Sequence, residues 1–90
     1  MYARVSTIPG NHIEQVLEHL NNASNEGLEE MKTTYFLVDE KKEKTITISF
    51  WETKEKAEAS LPAAKKIFKE IEQITGWPIE AVHYEVAKQE

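Results

Sequence analysis

The chain has 90 residues, 40% of them hydrophobic and 30% charged, which is the balance of one folded domain and too short a chain for two independent cores. Its formal charge of −5 and pI near 5.2 exclude broad contact with nucleic acid or an anionic membrane, both of which need a basic face. Cysteine is absent, which excludes disulfides, thiolate catalysis and Cys-ligated metal sites and leaves association with another chain as the obvious staple for so small a core.

No basic-then-apolar leader and no apolar run of roughly 18 residues is visible, so the expected location is the cytoplasm. Asn22-Ala23-Ser24 fits the glycosylation sequon but has no secretory context. No repeat, low-complexity tract or linker interrupts the chain, and residues 1–90 read as one module.

The first expected strand is Tyr2 to Ile8, ended by Pro9-Gly10. Asn11 suits a helix N-cap, with Glu14 placed to reach back as in a capping box. Ile13, Val16, Leu17 and Leu20 then recur on one helical face, and Asn21-Asn22 through Gly27 reads as the end of that helix and a loop. Met31–Val38 and Thr45–Trp51, rich in β-branched and aromatic residues, are two strands around a charged hairpin turn from Asp39 to Lys44. Thr53 can cap a second helix, whose apolar stripe runs Ala57, Leu61, Ala64, Ile67, Phe68, Ile71 and Ile74. Pro62 lies inside that stripe, so the segment kinks or restarts there with Pro62 in a first turn. Gly76 stops the helix, Trp77-Pro78 forces an extended exit, and Ala81–Ala87 is the last strand.

The order βαββαβ predicts an α+β, ferredoxin-like fold, with both helices on one face of a four-stranded antiparallel sheet ordered 4-1-3-2. Strand alternation sorts the side chains into two sets. Ala3, Val5, Ile46, Ile48, Phe50, Val82, Tyr84 and Val86 form the more apolar one, expected beneath the helices. Tyr2, Arg4, Ser6, Thr45, Thr47, Ser49, Trp51, His83 and Glu85 form the other. On the second strand, Tyr35 and Leu37 face one way and Phe36 and Val38 the other, and both pairs are apolar. The face away from the helices therefore carries apolar residues as well, and a patch of that kind predicts a homodimer, although antiparallel sheets also tolerate a half-polar wet face.

The run from Thr45 to Ala59, with Trp51-Glu52-Thr53 at its strand-to-helix junction, resembles the antibiotic biosynthesis monooxygenase-like family. The opening strand, Pro9-Gly10 and the amphipathic helix extend the resemblance over nearly the whole chain, Trp51 being its one specific mark. The resemblance implies a dimeric α/β barrel of two ferredoxin-like units packed sheet to sheet, with a ligand pocket in each subunit. The implied activities are diverse: cofactor-free oxidation of polyphenols and quinols, haem degradation, and isomerase or decarboxylase chemistry in related barrels. Haem degradation relies in that family on an Asn in the first strand and on a Trp and a His in the second helical region, none of which is present here. The expected function is a cofactor-independent, monooxygenase-like activity on a small aromatic or quinone-type compound, or else a non-catalytic dimeric binding module.

The candidate site follows from strand adjacency. Arg4 is expected beside His83 and Glu85 and across from Thr47 and Ser49, on the face turned to the partner sheet. An Arg4–Glu85 pair with His83 as acid or base suits an anionic or phenolic ligand, with Tyr2, Thr47, Trp51 and Tyr35 as ligand contacts. The same residues also suit a cross-strand ion pair at a dimer seam, and in the resembling family the junction Trp commonly packs the corner. Trp77 reads as a packing plug, and Tyr35 and Tyr84 as core. His12 and His19 are about 10 Å apart by helical rise, too far to share a metal ion. Glu26, Glu29, Glu30 and the hairpin carboxylates read as solvated surface. No phosphate loop, Ser-His-Asp order or HExxH motif is present, and no metal or cofactor is expected.

Overall fold

A computed structural model describes residues 1–23, 26–39, 41 and 43–88; Ser24 of the sequon and Glu40 and Lys42 of the hairpin turn lie outside them. Strands β1 (Tyr2–Pro9), β2 (Thr33–Val38), β3 (Lys44–Trp51) and β4 (Glu80–Glu85) alternate with helices α1 (Ile13–Asn22), α2 (Lys54–Ala59) and α3 (Leu61–Thr75). All strand pairs are antiparallel, in the spatial order β2-β3-β1-β4. This is the ferredoxin-like α+β fold expected from the sequence. Among the described residues no helix is long and apolar enough to cross a membrane.

Local chemistry sets the breaks. The second helical segment divides at Ser60, with Thr53 Oγ1 accepting the Lys56 N–H at 3.1 Å to cap α2 and Pro62 in the first turn of α3. Pro62 has no N–H to lose there, which is why the chain restarts rather than merely kinks. Gly76 ends α3 at φ 80°, in the left-handed region that glycine enters without a Cβ penalty, and its N–H reaches the Glu72 carbonyl at 2.8 Å.

The start of α1 departs from expectation. His12, not Asn11, is the N-cap residue, and no side-chain cap bond forms. Thr45 takes over that work from β3: its buried hydroxyl accepts the His12 N–H and donates to the Gly10 carbonyl, each at 3.1 Å. A β-strand hydroxyl thus replaces the local box, because the turn at Gly10 folds the chain back onto β3.

The two faces of the sheet are the reverse of the assignment made from alternation. Arg4, Ser6, Ile8, Thr45, Ser49 and Trp51 lie buried beneath the helices. There Ile8 packs with Val16 of α1 and Ile71 of α3, and Leu20, Phe36, Ile67 and Ile79 close around them. The apolar set, Val5, Ile46, Ile48, Phe50, Val82 and Tyr84, lies on the open face, joined by Tyr35 and Leu37 from β2. Both sets hold enough apolar surface to line a core, so alternation separates them without saying which one the helices cover. Tyr84 is 53% exposed there, and Trp77 is 52% exposed rather than a packing plug.

Replacing the buried Thr45 hydroxyl by a methyl orphans the His12 N–H and the Gly10 carbonyl at once. Thr45→Val is expected to lower unfolding stability by about 1–3 kcal/mol, read as a lower midpoint with unchanged slope in urea unfolding.

Candidate functional site

Between the sheet and helices α1 and α3 lies a cavity of about 260 Å³. Its walls are mostly apolar, with Phe36, Ile67, Phe68 and Ile71 prominent, and its polar lining comes from Arg4, Ser6, Thr34, Thr47 and Ser49. Strand pairing gathers those polar residues: Arg4 stands opposite Ser49, Ser6 and Phe36 opposite Thr47, and Thr34 opposite Ser49. The Thr34 and Ser49 hydroxyls approach to 3.3 Å.

Arg4 dominates this site. The residue is only 4% exposed, and its guanidinium carbon sits 4.5 Å over the ring of Trp51, itself fully buried. Nε–H donates to His83 Nε2 at 2.9 Å, and Nη2 donates to the Ala57 carbonyl at 3.0 Å and to Ser60 Oγ at 2.9 Å. Ser60 Oγ also donates to the Ala57 carbonyl at 2.6 Å. One side chain from β1 therefore ties together β4, the Trp51 corner and the break between α2 and α3. Burial pulls the Arg4 guanidinium below its ordinary value, yet an arginine starts so high that it stays charged near neutrality.

His83 must be neutral to accept from Arg4, which places its ring proton on Nδ1. Burial first and the Arg4 charge second hold its imidazole below the ordinary range, while Glu58 opposes them. The Tyr2 ring stacks against it, with centroids 6.2 Å apart and planes 27° apart.

The sequence-derived candidates thus divide. Arg4, Thr47 and Trp51 line the cavity; His83 and Tyr2 do not, His83 accepting from Arg4 and Tyr2 stacking on His83. Glu85 is exposed at the end of β4, and Arg4 is bonded to His83, Ala57 and Ser60 in its place. Tyr35 lies 55% exposed on the opposite face, edge-on to Phe50. Ser60 escaped the sequence reading, although its place directly before Leu61-Pro62 is a helix-start signal that puts a hydroxyl at the α2–α3 break. Ser49 stands across from Arg4 as expected, while Thr34, Phe36 and Phe68 join the site only because the helices cover this face. His19 meets Glu70 at 3.2 Å and does not approach His12, and among the described residues no cluster of three His, Cys, Asp or Glu is placed to hold a metal ion.

No protein-family model matches the chain, and no curated protein matches it in sequence. Solved structures match it in fold. A candidate antibiotic biosynthesis monooxygenase from Deinococcus radiodurans is 13% identical and superposes with a TM-score of 0.72 over 99% of this chain and 95% of that one. The monooxygenase of the gene ActVA-Orf6 from Streptomyces coelicolor, in complex with nanaomycin D, is also 13% identical. Its TM-score is 0.77 over 98% of this chain and 88% of that one. The likeness establishes the fold of the antibiotic biosynthesis monooxygenases for this chain, the fold that the Trp51 junction implied.

The Arg4–His83 contact carries a pH signature. Because the folded imidazole binds its proton less readily than the unfolded one, its contribution is fully present above the unfolded value, near 6.5, and is lost as pH falls below that toward the folded value. His83→Gln keeps an acceptor for Arg4 Nε without a titrating ring. Urea unfolding of the variant between pH 7.5 and 5.5 is expected to show a smaller loss of stability than the wild type, and equal losses would remove His83 as the source of the pH dependence.

Proposed function

We propose that this chain binds a small aromatic, quinone-type compound in the cavity between sheet and helices and acts on it as a cofactor-independent monooxygenase. The cavity itself carries the reading. Its volume of about 260 Å³ is near the lower end of ligand pockets, the scale of a one- or two-ring molecule. Phe36 and Phe68 offer aromatic surface to flat rings. That the structurally similar Streptomyces protein is a monooxygenase in complex with nanaomycin D supports the same substrate class here.

The reaction balances without a further reductant. A phenol and one O₂ give a para-quinone and one water: one oxygen atom enters the ring, the other leaves as water, and the phenol supplies four electrons. An electron-rich phenolate reacts with oxygen directly, so the protein's task is to hold it, exclude water and leave room for O₂.

A non-catalytic binding module is the second reading, and the cavity lining favours it in one respect. No carboxylate or imidazole lines the space among the described residues, so no general base touches a bound ligand. Aerobic incubation with 1-naphthol separates the two. Oxygen uptake matched one-to-one by quinone absorbance is the monooxygenase outcome. Binding without uptake leaves the module, and no binding at all sinks both. Ala64, buried on α3 and lining the cavity, provides a control: Ala64→Leu fills the space and is expected to weaken binding about tenfold or more.

The functional unit in this proposal is a homodimer joined through the open sheet face. Tyr35, Leu37, Val82 and Tyr84 are each between 44% and 55% exposed there, with Ile46, Ile48 and Phe50 half-buried between them. The chain measures 31 × 29 × 19 Å, room on a broad face for the roughly 800 Å² per partner of a stable interface. Light scattering of the wild type at micromolar concentration is expected to give twice the chain mass, and the double variant Leu37→Lys, Val82→Lys to give a folded monomer. A wild-type monomer would overturn the dimer and leave the cavity untouched.

A further inference from the structure

The aromatic-ligand reading leaves open how the polar end of the ligand is held, and the donors around Arg4 bear on it. Three of the guanidinium's N–H donors are taken by His83, Ala57 and Ser60. The pair on Nη1 meets no acceptor among the described residues, although Arg4 is 4% exposed and lines the cavity. Beneath it, Trp51 Nε1 is buried without a hydrogen-bond partner among the described residues. Trp51 is wholly buried, so its indole N–H is sealed from the cavity, and the unspent donors at the wall are those of Arg4, where polar groups are ordinarily satisfied.

Charge points the same way. The chain holds 16 acidic residues against 11 Lys and Arg, yet its buried guanidinium pairs with a neutral imidazole, a carbonyl and a hydroxyl. Ion pairs elsewhere are at the surface, as at Glu52 with Lys32 and Lys56. A buried cation is normally compensated by an anion, and in this site the described residues supply none.

Resting on the aromatic-ligand reading, we infer that the natural ligand is an acid: an oxyanion on an apolar, ring-sized body, its charge held by Arg4 Nη1. The guanidinium fork is preset for this task because His83 and Ser60 fix its plane from behind, which leaves little to order on binding. A phenolate and a carboxylate share the required chemistry. Either would convert the lone cation into a charge-assisted pair inside a mostly apolar space, where such a pair is stronger than in water.

The test compares two probes of matched shape on the wild-type chain: 1-naphthoate and neutral 1-naphthalenemethanol, titrated by calorimetry at pH 7.5. Naphthoate is expected to bind more than about tenfold tighter. In Arg4→Gln the preference is expected to collapse, with circular dichroism confirming the fold. If that variant does not fold, the wild-type comparison decides alone. Equal affinity for the two probes overturns the acid reading while leaving an aromatic pocket in place. Failure of both to bind overturns the pocket and the acid together. A naphthoate preference that survives in folded Arg4→Gln overturns Arg4 as the anchor. The absorbance of bound 1-naphthol separates the two sources: a red shift marks capture as the phenolate, and its absence beside tight naphthoate binding assigns the carboxylate.

Discussion

A guanidinium taken from water into a mostly apolar interior needs acceptors for its donors, and much of this small fold is arranged to supply them for Arg4 Nε and Nη2. Arg4 reaches from β1 to a carbonyl in α2, a hydroxyl at the α2–α3 break and an imidazole on β4, with the Trp51 ring under it. Each contact joins elements far apart in sequence. Ser60 is the pivot of the arrangement, since its hydroxyl accepts from Arg4 and donates to the same Ala57 carbonyl that Arg4 uses. The short α2 is thereby tied to the sheet by polar contacts, while α1 and α3 are held by the Ile8, Val16 and Ile71 core.

This division of labour makes the cavity. Aliphatic packing closes the end near Ile8 and Ile79, and the Arg4–Trp51 corner closes the other. Between them the helix-facing strand positions are short and polar: Ser6, Thr34, Thr47 and Ser49. Small side chains there leave space that Leu or Phe would have filled. The space is therefore encoded by side-chain size at four strand positions, and it sits inside one chain.

The open face answers a separate constraint. Among the described residues, no helix lies over its Tyr, Leu, Ile and Val side chains, and of those on this face only Ala3 is buried. With helices on one side alone, a sheet whose second face is this apolar has its hydrophobic surface left over. Association across that face and ligand capture beneath the helices would thus be independent functions of opposite sides of one sheet.

By itself the sequence determined the elements and their order. Two-residue alternation, the helical stripe from Ala57 to Ile74, the Pro62 restart and the Gly76 stop are all local signals, and right-handed crossover then allows few topologies. It also made Arg4 and His83 neighbours, since antiparallel order alone puts β1 beside β4. Only the tertiary structure decided which face the helices cover. That choice rests on the pleat at each strand and on whether Ile8 and Phe36, or Val5 and Tyr35, meet Val16 and Ile71, and the richer apolar content of the Val5 set points to the wrong face. The reversal moved the candidate site from a seam between chains to the interior of one. It left Tyr35 outside the site and brought in Ser60, whose tie to Arg4 spans 56 residues and so has no local signature; Glu85 falls outside because it lies exposed at the end of β4.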